Sequence, residues 1–414
     1  MLEAYDVLVV GAGQAGVQVA DSLRKGGFAG TVGIINAEDS LPYERPPLSK
    51  AFLRGEAEID DFLFHNADWY AQHDIDLIAP ATVESVDAEG HVAMLEDGQR
   101  ISWGRLIWAA GGRARKLSLP GAELAGVLSL RTHQDAADLR QRVGTAHRAV
   151  IIGGGYIGLE AAAAFATLGL DVTVIEAQDR LLARVTCNAV SDFYLDLHRK
   201  HDTTVLLASG IERIVGENGN ASGVELLDGT LLPADIVLVG VGLIPNVEPL
   251  AAAGATVTNG LEVDECFRTS LPDVFAIGDC VNIAHPFAAD SRVRLESVPN
   301  ANEHGKALAE VLLGVDQAPP SPPWFWSHQF DVKLQTVGLQ TGHDDAVIRG
   351  DVESRKFSVV YLREGRVIAL DCINSVADFA QGKQLVKNGV HASASELADT
   401  AVPLKAHLAT VKTP

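Results

Sequence analysis

The chain is 414 residues long and 47% hydrophobic, so it can bury two or three cores. Its 33 Lys and Arg residues are outnumbered by 54 Asp and Glu, and the net charge of −21 disfavours nucleic acids and anionic membranes, because their phosphates would be repelled. No segment approaches the ~20 apolar residues of a membrane-spanning helix, and the strand-like YDVLVVGAG begins so early that we expect a cytoplasmic protein without a signal peptide.

The charge is unevenly distributed along the chain. Residues 321–414 contain ten Lys and Arg and ten Asp and Glu, so residues 1–320 carry the whole excess of −21. An acidic partner would therefore meet the least repulsion at the C-terminal segment.

Four cysteines are present, at Cys187, Cys266, Cys280 and Cys372. No two of them form a C-x-x-C or other short-spaced pair, which argues against a zinc site, a disulfide framework and a dithiol redox centre. We expect free thiols in a reducing cytosol. The histidines are scattered as well, so no metal site is predicted.

The first predicted elements form a βαβ unit. The apolar run DVLVV ends in glycines, QAGVQVADSLRKGG has helical periodicity and closes on a glycine pair, and GTVGIINAE is typical of a second buried strand. The same order recurs from Ala149 in AVIIGGG, YIGLEAAAAFATLGL and DVTVIEA. Two such units predict two doubly wound domains rather than a repeat array.

The later elements complete these domains and add a third. RLIWAAGGRAR and LPADIVLVGVGLIPN are predicted strands, and TSLPDVFAIGDC combines a turn, a strand and a Gly-Asp stop. The proline-rich PPSPPWFWS marks a domain boundary, and KFSVVYLREGRVIALDCI predicts a hairpin beyond it. We therefore predict an α/β fold of two Rossmann-like nucleotide-binding domains and a small C-terminal α/β domain with an antiparallel sheet.

The first βαβ unit carries the pattern G-x-G-x-x-G at Gly11, Gly13 and Gly16. Glycines at this spacing allow a tight turn, close approach of a pyrophosphate to backbone N–H groups, and close packing of helix on strand. The pattern follows a predicted strand and opens a predicted helix, which is the context that a dinucleotide site requires.

Gly153, Gly155 and Gly158 repeat the pattern in the second unit, and Glu176 ends the strand that follows. A carboxylate at that point can accept hydrogen bonds from both hydroxyls of the adenine ribose, and it would repel a 2′-phosphate. This favours NADH over NADPH. Arg180 and Arg184 lie close enough in sequence to leave the choice open.

Two dinucleotide sites call for a hydride donor and an acceptor, and the natural protein-bound acceptor is a flavin. TSLPDVFAIGD supports a flavin, since Thr269, the apolar run 274–277, Gly278 and Asp279 match T-x-x-x-x-apolar-x-A-x-G-D. In flavoprotein reductases this pattern brings a carboxylate to the ribityl chain. The two glycine turns and the Gly-Asp motif together predict FAD and NADH as cofactors.

Further stretches extend these signals over nearly the full length: YERPPLSKAFLRG (43–55), GGGYIGLE (153–160), VGLIPN (241–246), FAIGDC (275–280), RLESVPNA (294–301), PWFWS (323–327) and AVPLK (401–405). With them the chain resembles the FAD-dependent NADH:ferredoxin reductases of bacterial oxygenase systems. The resemblance implies a glutathione-reductase-like arrangement, with an FAD domain at 1–112 and 246–322, an NADH domain at 113–245, and a C-terminal domain at 323–414 beside the flavin.

The resemblance also implies site residues. For FAD they are Gly11, Gly13, Ala15, Gly16, Ala37, Glu38, Lys50, Val83, Arg131, Asp279 and Val298. For NADH they are Gly153, Gly155, Tyr156, Ile157, Gly158, Glu176 and Gly242. The chain departs from the family after the second strand, where Asn36-Ala37-Glu38 replaces the usual Gly-Asp. Either Glu38 or the backbone at Ala37 would then reach the ribose.

The resemblance assigns catalytic roles to Lys50, Tyr156, Glu160 and Trp326. Lys50 would lie near the flavin and stabilise its electron-rich reduced form. Tyr156 would cover the flavin face until the nicotinamide arrives, and Glu160 would pair with Lys50 beside the nicotinamide. Trp326 would lie against the flavin where electrons leave. The alternatives are a solvated loop lysine for Lys50, simple helix packing for Tyr156, an N-terminal helix acid favoured by the dipole for Glu160, and a core role for Trp324 and Trp326. In an extended segment both tryptophans would face one way.

The predicted reaction passes electrons from NADH through FAD to a [2Fe–2S] ferredoxin. That ferredoxin would feed a haem-thiolate monooxygenase (cytochrome P-450 type) or an aromatic ring-hydroxylating dioxygenase. We expect it to dock on the neutral C-terminal domain near Lys333, Lys383, Lys387 and Lys405. No nucleic-acid or membrane partner is predicted.

Two other functions are weaker alternatives. A disulfide reductase, NADH oxidase or peroxidase on the same scaffold needs a cysteine beside the flavin, but the chain has ERPPLSK there and no cysteine before Cys187. A flavin-bearing interaction protein of the apoptosis-inducing type usually has a targeting segment and a basic surface, and neither is expected here.

Overall fold

The computed structural model describes residues 2–289 and 291–410. The chain forms two compact units, each assembled from three segments. The first unit comprises Met1–Glu44, Ile59–Arg113 and Ile244–Pro323, and the second comprises Arg45–Glu58, Ala114–Leu243 and Trp324–Pro414. The three-domain division stays a prediction. One difference is clear, because the segment Arg45–Glu58, placed by sequence in the first domain, packs with the second unit.

The helices and strands have the following bounds. The α-helices are α1 (Gln14–Lys25), α2 (Ala67–Gln72), α3 (His133–Val143), α4 (Tyr156–Thr167), α5 (Asn188–Lys200), α6 (Glu248–Ala252), α7 (Val298–Leu313), α8 (Val376–Asn388) and α9 (Ala394–Ala398). Short 3-10 helices lie at Pro46–Ser49, Ile59–Phe62, Gly278–Cys280, Pro286–Ala288 and Leu404–Thr410. The strands are β1 (Ala4–Val10), β2 (Val32–Ile35), β3 (Ile75–Ile78), β4 (Val83–Asp87), β5 (Val92–Leu95), β6 (Arg100–Trp108), β7 (Gly112–Ala114), β8 (Val127–Leu128), β9 (Arg148–Ile152), β10 (Asp171–Ile175), β11 (Thr204–Leu206), β12 (Ile211–Glu217), β13 (Asn220–Leu226), β14 (Leu231–Pro233), β15 (Ile236–Val239), β16 (Leu243–Pro245), β17 (Val257–Thr258), β18 (Gly260–Val263), β19 (Val274–Ala276), β20 (Val281–Ala284), β21 (Arg292–Val293), β22 (Trp324–Gln329), β23 (Val332–Gly338), β24 (Asp345–Asp351), β25 (Lys356–Arg363) and β26 (Arg366–Ile373).

The first unit is built on a sheet of order β3-β2-β1-β6-β5-β4, with β19 also paired to β6. Its β1, β2, β3, β6 and β19 run parallel, whereas β4 and β5 are antiparallel additions. Strands β2 and β19 are fully buried apolar runs, whereas β1, β3 and β6 are buried over only part of their length. Helices α1 and α7 lie together beside this sheet, and Gly305 permits the close approach, because a Cβ there would lie 2.9 Å from Gln18.

The second unit contains a parallel sheet of order β11-β10-β9-β15-β8. Helix α4 is buried over residues 158–165, which are apolar except for Glu160 and include the alanines at 161–164, and it packs against β9, β10, the 3-10 helix Pro46–Ser49 and β22. A helix buried all round needs small side chains, because several layers approach it at once. This central position brings distant parts of the chain to the first turns of α4.

The C-terminal part of the second unit is an antiparallel sheet of order β22-β23-β26-β25-β24, and α8 packs against it. The predicted hairpin is β25 and β26, joined through Glu364 and Gly365, both with positive φ as a tight hairpin turn requires. The predicted fold class is therefore confirmed. Among the residues described, no helix is both long enough and apolar enough to cross a membrane.

Candidate active site

The first glycine turn lies between β1 and α1 and has no room for larger residues at two of its positions. Gly11 has φ +105°, and a Cβ there would lie 2.4 Å from the carbonyl oxygen of Ala109. A Cβ at Gly16 would lie 1.9 Å from the carbonyl oxygen of Gly11. At Gly13, by contrast, no atom lies within 4 Å of the Cβ position. The turn is thus tightly closed on one side and open at Gly13, where a phosphate can approach the backbone.

The helices that follow both glycine turns begin without a side-chain cap. Gly13 and Gly155 are the N-cap residues of α1 and α4, and no acidic residue lies in either first turn. Helices α3 and α7, in contrast, are capped by Thr132 and Ser297. An uncapped helix start presents free N–H donors and the positive end of the dipole, so both turns fit the pyrophosphate of a dinucleotide.

The other predicted FAD residues of the first unit surround this turn or end neighbouring elements. Ala15 lies in the first turn of α1, and the ideal Cβ position of Gly278 is 3.1 Å from its methyl group. Asp279 lies in the 3-10 helix after β19, Val298 begins α7, and buried Val83 begins β4. The Gly-Asp motif therefore lies beside the first glycine turn.

The residues after β2 that depart from the family pattern form a local hydrogen-bond cluster. The Asn36 side chain donates to the carbonyl oxygens of Glu38 and Ser40 and accepts from the Glu38 N–H. Tyr43 donates to Glu38 Oε2 at 2.6 Å, whereas Ala37 is exposed. Both Glu38 and the Ala37 backbone remain candidate ribose contacts.

The second glycine turn repeats the first with close geometry. Gly153 has φ +110°, a Cβ at Gly158 would lie 2.1 Å from the Gly153 carbonyl oxygen, and the Cβ position of Gly155 faces open space. Ile157, in the first turn of α4, is 46% exposed. Gly242 also has open space at its Cβ position. The second turn therefore has an open edge at Gly155, and Ile157 and Gly242 are also exposed.

Glu176 lies at that edge and is held by the backbone. Its Oε2 accepts from the Gly154 N–H at 2.7 Å and its Oε1 from the Gln178 N–H at 2.8 Å. Each carboxylate oxygen keeps a further lone pair, so both can still accept from ribose hydroxyls. Arg180 instead donates to the carbonyl oxygens of Ala183 and Thr186 and to Ser191 Oγ. Its guanidinium is therefore engaged within the protein.

Lys50 and Glu160 form a partly buried ion pair in the second unit. The Lys50 Nζ lies 2.5 Å from Glu160 Oε2, and the side chains are 19% and 3% exposed. Ser49 also donates to Oε2, at 2.7 Å, and Ser327 donates to Oε1 at 2.8 Å. A buried carboxylate is tolerated only when it is paired and hydrogen-bonded. Lys50 supplies the ion pair for Glu160, and Ser49 and Ser327 supply the hydrogen bonds.

Strand β22 divides its side chains between two faces. Phe325 and Ser327 face α4, where the rings of Phe325 and Tyr156 lie 4.7 Å apart and Ser327 reaches Glu160. Trp324 and Trp326 share the opposite face, with ring centroids 5.5 Å apart. Both tryptophans are only half-buried. Burial raises the pKa of the Tyr156 phenol well above its ordinary value, so this residue stays an uncharged hydroxyl.

The structure distributes the predicted residues between the two units. The second unit holds all the predicted NADH residues and also Lys50, Arg131 and Trp326. Arg131 precedes α3, and its carbonyl oxygen accepts from Arg45 at 2.6 Å. The remaining predicted FAD residues belong to the first unit.

Sequence reasoning missed several polar residues that support these sites. In the first unit, buried His304 accepts a hydrogen bond from the Gly278 N–H through Nδ1 at 3.2 Å, and burial lowers its pKa to about 3. In the second unit, Ser49, Ser327 and Gln329 belong to a buried hydrogen-bonded row that ends at His198. The only available signal was their spacing of two along PWFWSHQ, which places Ser327 and Gln329 on the Phe325 face.

All four cysteines are free thiols. Cys280 and Cys372 are buried, and burial raises the pKa of the Cys280 thiol to about 12. A thiol in that state is a poor nucleophile, because the thiolate is the reactive form. Cys187 and Cys266 are half-buried. The segment around Lys50, where a flavin-proximal cysteine would be expected in a disulfide reductase, holds Ser49 and Lys50 instead.

Comparison with known proteins agrees with this geometry. Residues 5–305 match the pyridine nucleotide-disulphide oxidoreductase family, and residues 324–408 match the reductase C-terminal family. The chain is 46% identical to the 5,5′-dehydrodivanillate O-demethylase ferredoxin reductase subunit of Sphingobium sp., over 97% of this chain and 98% of that protein.

Two solved structures are similar over nearly the whole chain. The ferredoxin reductase for the CYP199A2 system of Rhodopseudomonas palustris has a TM-score of 0.94 and 39% identity, covering 98% of this chain and 99% of that one. The reductase in the covalent putidaredoxin reductase–putidaredoxin complex has a TM-score of 0.95 and 36% identity, covering 100% and 99%. The chain therefore belongs to the pyridine nucleotide-disulphide oxidoreductase family and, within it, to the ferredoxin reductases of oxygenase systems: it is an oxidoreductase flavoenzyme that uses FAD and a nicotinamide dinucleotide.

Proposed function

We propose that this reductase takes electrons from NADH and delivers them to a [2Fe–2S] ferredoxin, which feeds a cytochrome P-450-type monooxygenase or an aromatic ring-hydroxylating dioxygenase. Bound FAD supplies the conversion between two-electron hydride chemistry and one-electron transfer. Support comes from relatives named for an O-demethylase and for the CYP199A2 system, and from the complex of a related reductase with putidaredoxin.

The observation that carries this proposal is the Lys50–Glu160 pair. Disulfide reductases on this scaffold need a cysteine in this segment, and here it carries a lysine held 2.5 Å from a buried glutamate. A lysine can stabilise added negative charge on a neighbouring group, but it cannot form a disulfide. The site therefore favours an acceptor that takes electrons singly rather than a disulfide substrate.

NADH is the proposed donor because Glu176 lies at the second glycine turn. Its carboxylate offers acceptors to the ribose hydroxyls and would repel a 2′-phosphate. From sequence, Arg180 was an alternative phosphate partner. Its guanidinium instead donates hydrogen bonds to Ala183, Thr186 and Ser191. Exposed Arg184 is the remaining nearby cation.

Tyr156 and Trp326 are proposed to act at the two faces of β22. Tyr156, packed on Phe325, would cover the face of the bound flavin and move away when the nicotinamide binds. Trp326 lies on the opposite face with Trp324, and the Lys383 ammonium is 5.7 Å from the Trp324 ring centroid. This links the proposed exit for electrons to the proposed docking lysines.

The docking lysines do not form one cluster. Lys383 and Lys387 lie one turn apart on α8, and the Lys405 N–H donates to Gln381 on the same helix. Lys333 lies beside the start of α8, where its N–H donates to Asn374. We propose that Lys383, Lys387 and Lys405 form the main contact for an acidic ferredoxin, with Lys333 at its edge.

The proposed function is tested with the purified holoprotein. NADH and NADPH oxidation are compared with a [2Fe–2S] ferredoxin and cytochrome c as final acceptor, and separately with rubredoxin and with a disulfide substrate. We expect NADH-dependent cytochrome c reduction that requires the [2Fe–2S] ferredoxin. Faster turnover with rubredoxin or with the disulfide would overturn the proposal.

The docking proposal predicts a selective defect. Changing Lys383 and Lys387 to Glu should lower the rate of ferredoxin reduction about tenfold and weaken its salt dependence, because like charges then face an acidic partner. NADH reduction of a small dye should be unchanged. Lys356→Glu, an exposed change on β25, is the matched control. Equal losses with dye and ferredoxin, or an equal loss in the control, would show that the lysines do not dock the partner.

A further inference from the structure

Glu160 stands at the end of a buried row of hydrogen bonds that runs across the second unit. Ser327 Oγ donates to Glu160 Oε1 at 2.8 Å, Gln329 Nε2 donates to Ser327 Oγ at 3.3 Å, and Gln329 Oε1 lies 2.9 Å from His198 Nε2. Ser327, Gln329 and His198 each have no exposed surface. The row links α5 through β22 to the first turns of α4.

The donors and acceptors of these residues allow only one direction of hydrogen bonding along the row. The Ser327 hydroxyl has a single proton, and Glu160 needs it, because a carboxylate only accepts. Ser327 must then accept from the next group, which the Gln329 amide NH₂ does. The reverse amide orientation would leave Ser327 facing two acceptors with one proton. Gln329 Oε1 therefore accepts from His198, so His198 carries its proton on Nε2.

The state of His198 agrees with that assignment. Its Nδ1 is buried without a hydrogen-bond partner, next to the Phe330 ring at 5.2 Å between centroids. Burial lowers the pKa of His198 to about 4, so the ring is neutral near pH 7. A neutral ring with its proton on Nε2 leaves Nδ1 as a bare acceptor, and that is the atom left without a donor.

We propose that Ser327, Gln329 and His198 are positioning residues that present Glu160 to Lys50 as an acceptor-only carboxylate, through this one-way row of hydrogen bonds. The inference rests on the proposed role of the Lys50–Glu160 pair. Donors on both carboxylate oxygens fix the plane of the group: Lys50 and Ser49 hold Oε2, and Ser327 holds Oε1. Residues held by such a supporting shell keep the geometry that hydride transfer requires.

Gln329→Glu tests the direction of the row with almost no change in shape. A carboxylate at position 329 accepts from Ser327, so the Ser327 lone pairs would turn toward Glu160 Oε1. We expect the limiting rate of flavin bleaching by NADH to fall about tenfold or more, with KM little changed. Gln329→Met removes the donor without reversing the row and should slow the reaction less. Ser327→Ala should slow it, and Ser327→Thr, which keeps the hydroxyl, should restore it.

Two controls separate this effect from general damage. Ser358→Ala removes another buried hydroxyl of the same sheet, on β25, which donates to the Asp378 carboxylate of α8. Gln72→Glu makes the same chemical change on an exposed helix. Both variants should reduce the flavin at the wild-type rate. A slowing in Ser358→Ala equal to that in Ser327→Ala would overturn the proposal.

Two further measurements do not depend on turnover. A double-mutant cycle on the free energy of unfolding should show coupling between Ser327→Ala and Glu160→Gln, and ¹⁵N spectra of histidine-labelled protein should show a neutral His198 with its proton on Nε2. Additive unfolding energies, or a proton on Nδ1, would overturn the row. If Glu160→Gln itself leaves flavin reduction unchanged, the proposed function of the pair fails too. If Glu160→Gln slows reduction and Ser327→Ala does not, only the row is wrong.

Discussion

The two glycine turns have nearly the same backbone, yet the helices that follow them present different side chains. In the first unit, Gln14 bonds to Asn302 at 2.7 Å and Gln18 bonds to Ser22 at 3.0 Å. The matching positions of the second unit are Tyr156 and Glu160, which contact Phe325 and Lys50. The shared backbone suits a pyrophosphate in both cases. Under the proposed function, the side chains on the first two turns of the helix decide whether the site only binds a dinucleotide or also supports a reaction.

The largest expected effect comes from adding a Cβ at the most crowded glycine of each turn. Gly16→Ala would put a Cβ 1.9 Å from a backbone oxygen, and Gly158→Ala would put one at 2.1 Å, so each turn must open. We expect Gly16→Ala to purify without FAD. Gly158→Ala should keep its flavin spectrum but raise KM for NADH about tenfold or more.

Gly144→Ala is the control for this pair, because Gly144 ends α3 with φ −60° and its Cβ would meet only an ordinary contact at 3.5 Å. Flavin content is measured from absorbance after denaturation. Retention of FAD in Gly16→Ala, or its loss in Gly158→Ala, would show that the two turns do not divide the cofactors in this way.

The next effect contrasts Glu160 with Gln18. Lys50→Met leaves the Glu160 carboxylate buried without its cation, which should lower the free energy of unfolding by about 3 kcal/mol or more. The double change Lys50→Met with Glu160→Leu should recover much of that loss, because no buried charge remains. Gln18→Ala removes only a neutral, partly buried hydrogen bond to Ser22 within α1 and should cost about 1 kcal/mol. Urea denaturation of the holoproteins measures all three, and a double variant no more stable than Lys50→Met would contradict the pairing.

The sequence was sufficient for the fold class, and the site residues that it named stay predictions. Apolar runs followed by glycines identified both βαβ units, and the Glu364-Gly365 turn identified the β25–β26 hairpin, because these signals are local. Ser327, Gln329 and His198 could not be recognised in the same way. Their meeting depends on the pairing of β22 with β23 and on the packing of α4 and α5, which no short pattern encodes. Likewise, only the tertiary structure shows that Arg45–Glu58 packs with the second unit, which is what brings Lys50 to Glu160.

A smaller effect comes from two buried histidines with strongly lowered pKa values, His304 in the first unit and His198 in the second. Burial lowers the pKa of His304 to about 3 and that of His198 to about 4, from an ordinary 6.5. A depressed folded pKa means that the unfolded chain binds the proton first, so the stability that each neutral ring contributes is present above about pH 6.5 and lost as pH falls toward the folded values. Each should cost about 2 kcal/mol between pH 7 and pH 5.

Replacing either histidine by Gln removes that titration. We expect His304→Gln and His198→Gln to be less stable at pH 7 but to lose less stability on acidification than the wild type. His391→Gln, at an exposed position, is the control and should keep the wild-type pH dependence. Urea midpoints at the two pH values measure the difference, and a wild-type slope in both buried variants would refute the explanation.

The smallest expected effect contrasts Glu38, which follows β2, with Glu176, which follows β10. Glu38 is bonded to Tyr43, whereas Glu176 holds the turn itself through the Gly154 N–H. Glu176→Arg removes the ribose acceptor and adds a partner for a 2′-phosphate, so the NADH/NADPH ratio of kcat/KM should fall about tenfold, or ~1.4 kcal/mol. Glu38→Arg should leave that ratio unchanged, because we propose that the first turn holds FAD. Steady-state kinetics with NADH and NADPH measures this ratio. Unchanged selectivity in Glu176→Arg would mean that this carboxylate does not bind the ribose. A change of selectivity in Glu38→Arg would mean that the two turns do not bind different cofactors.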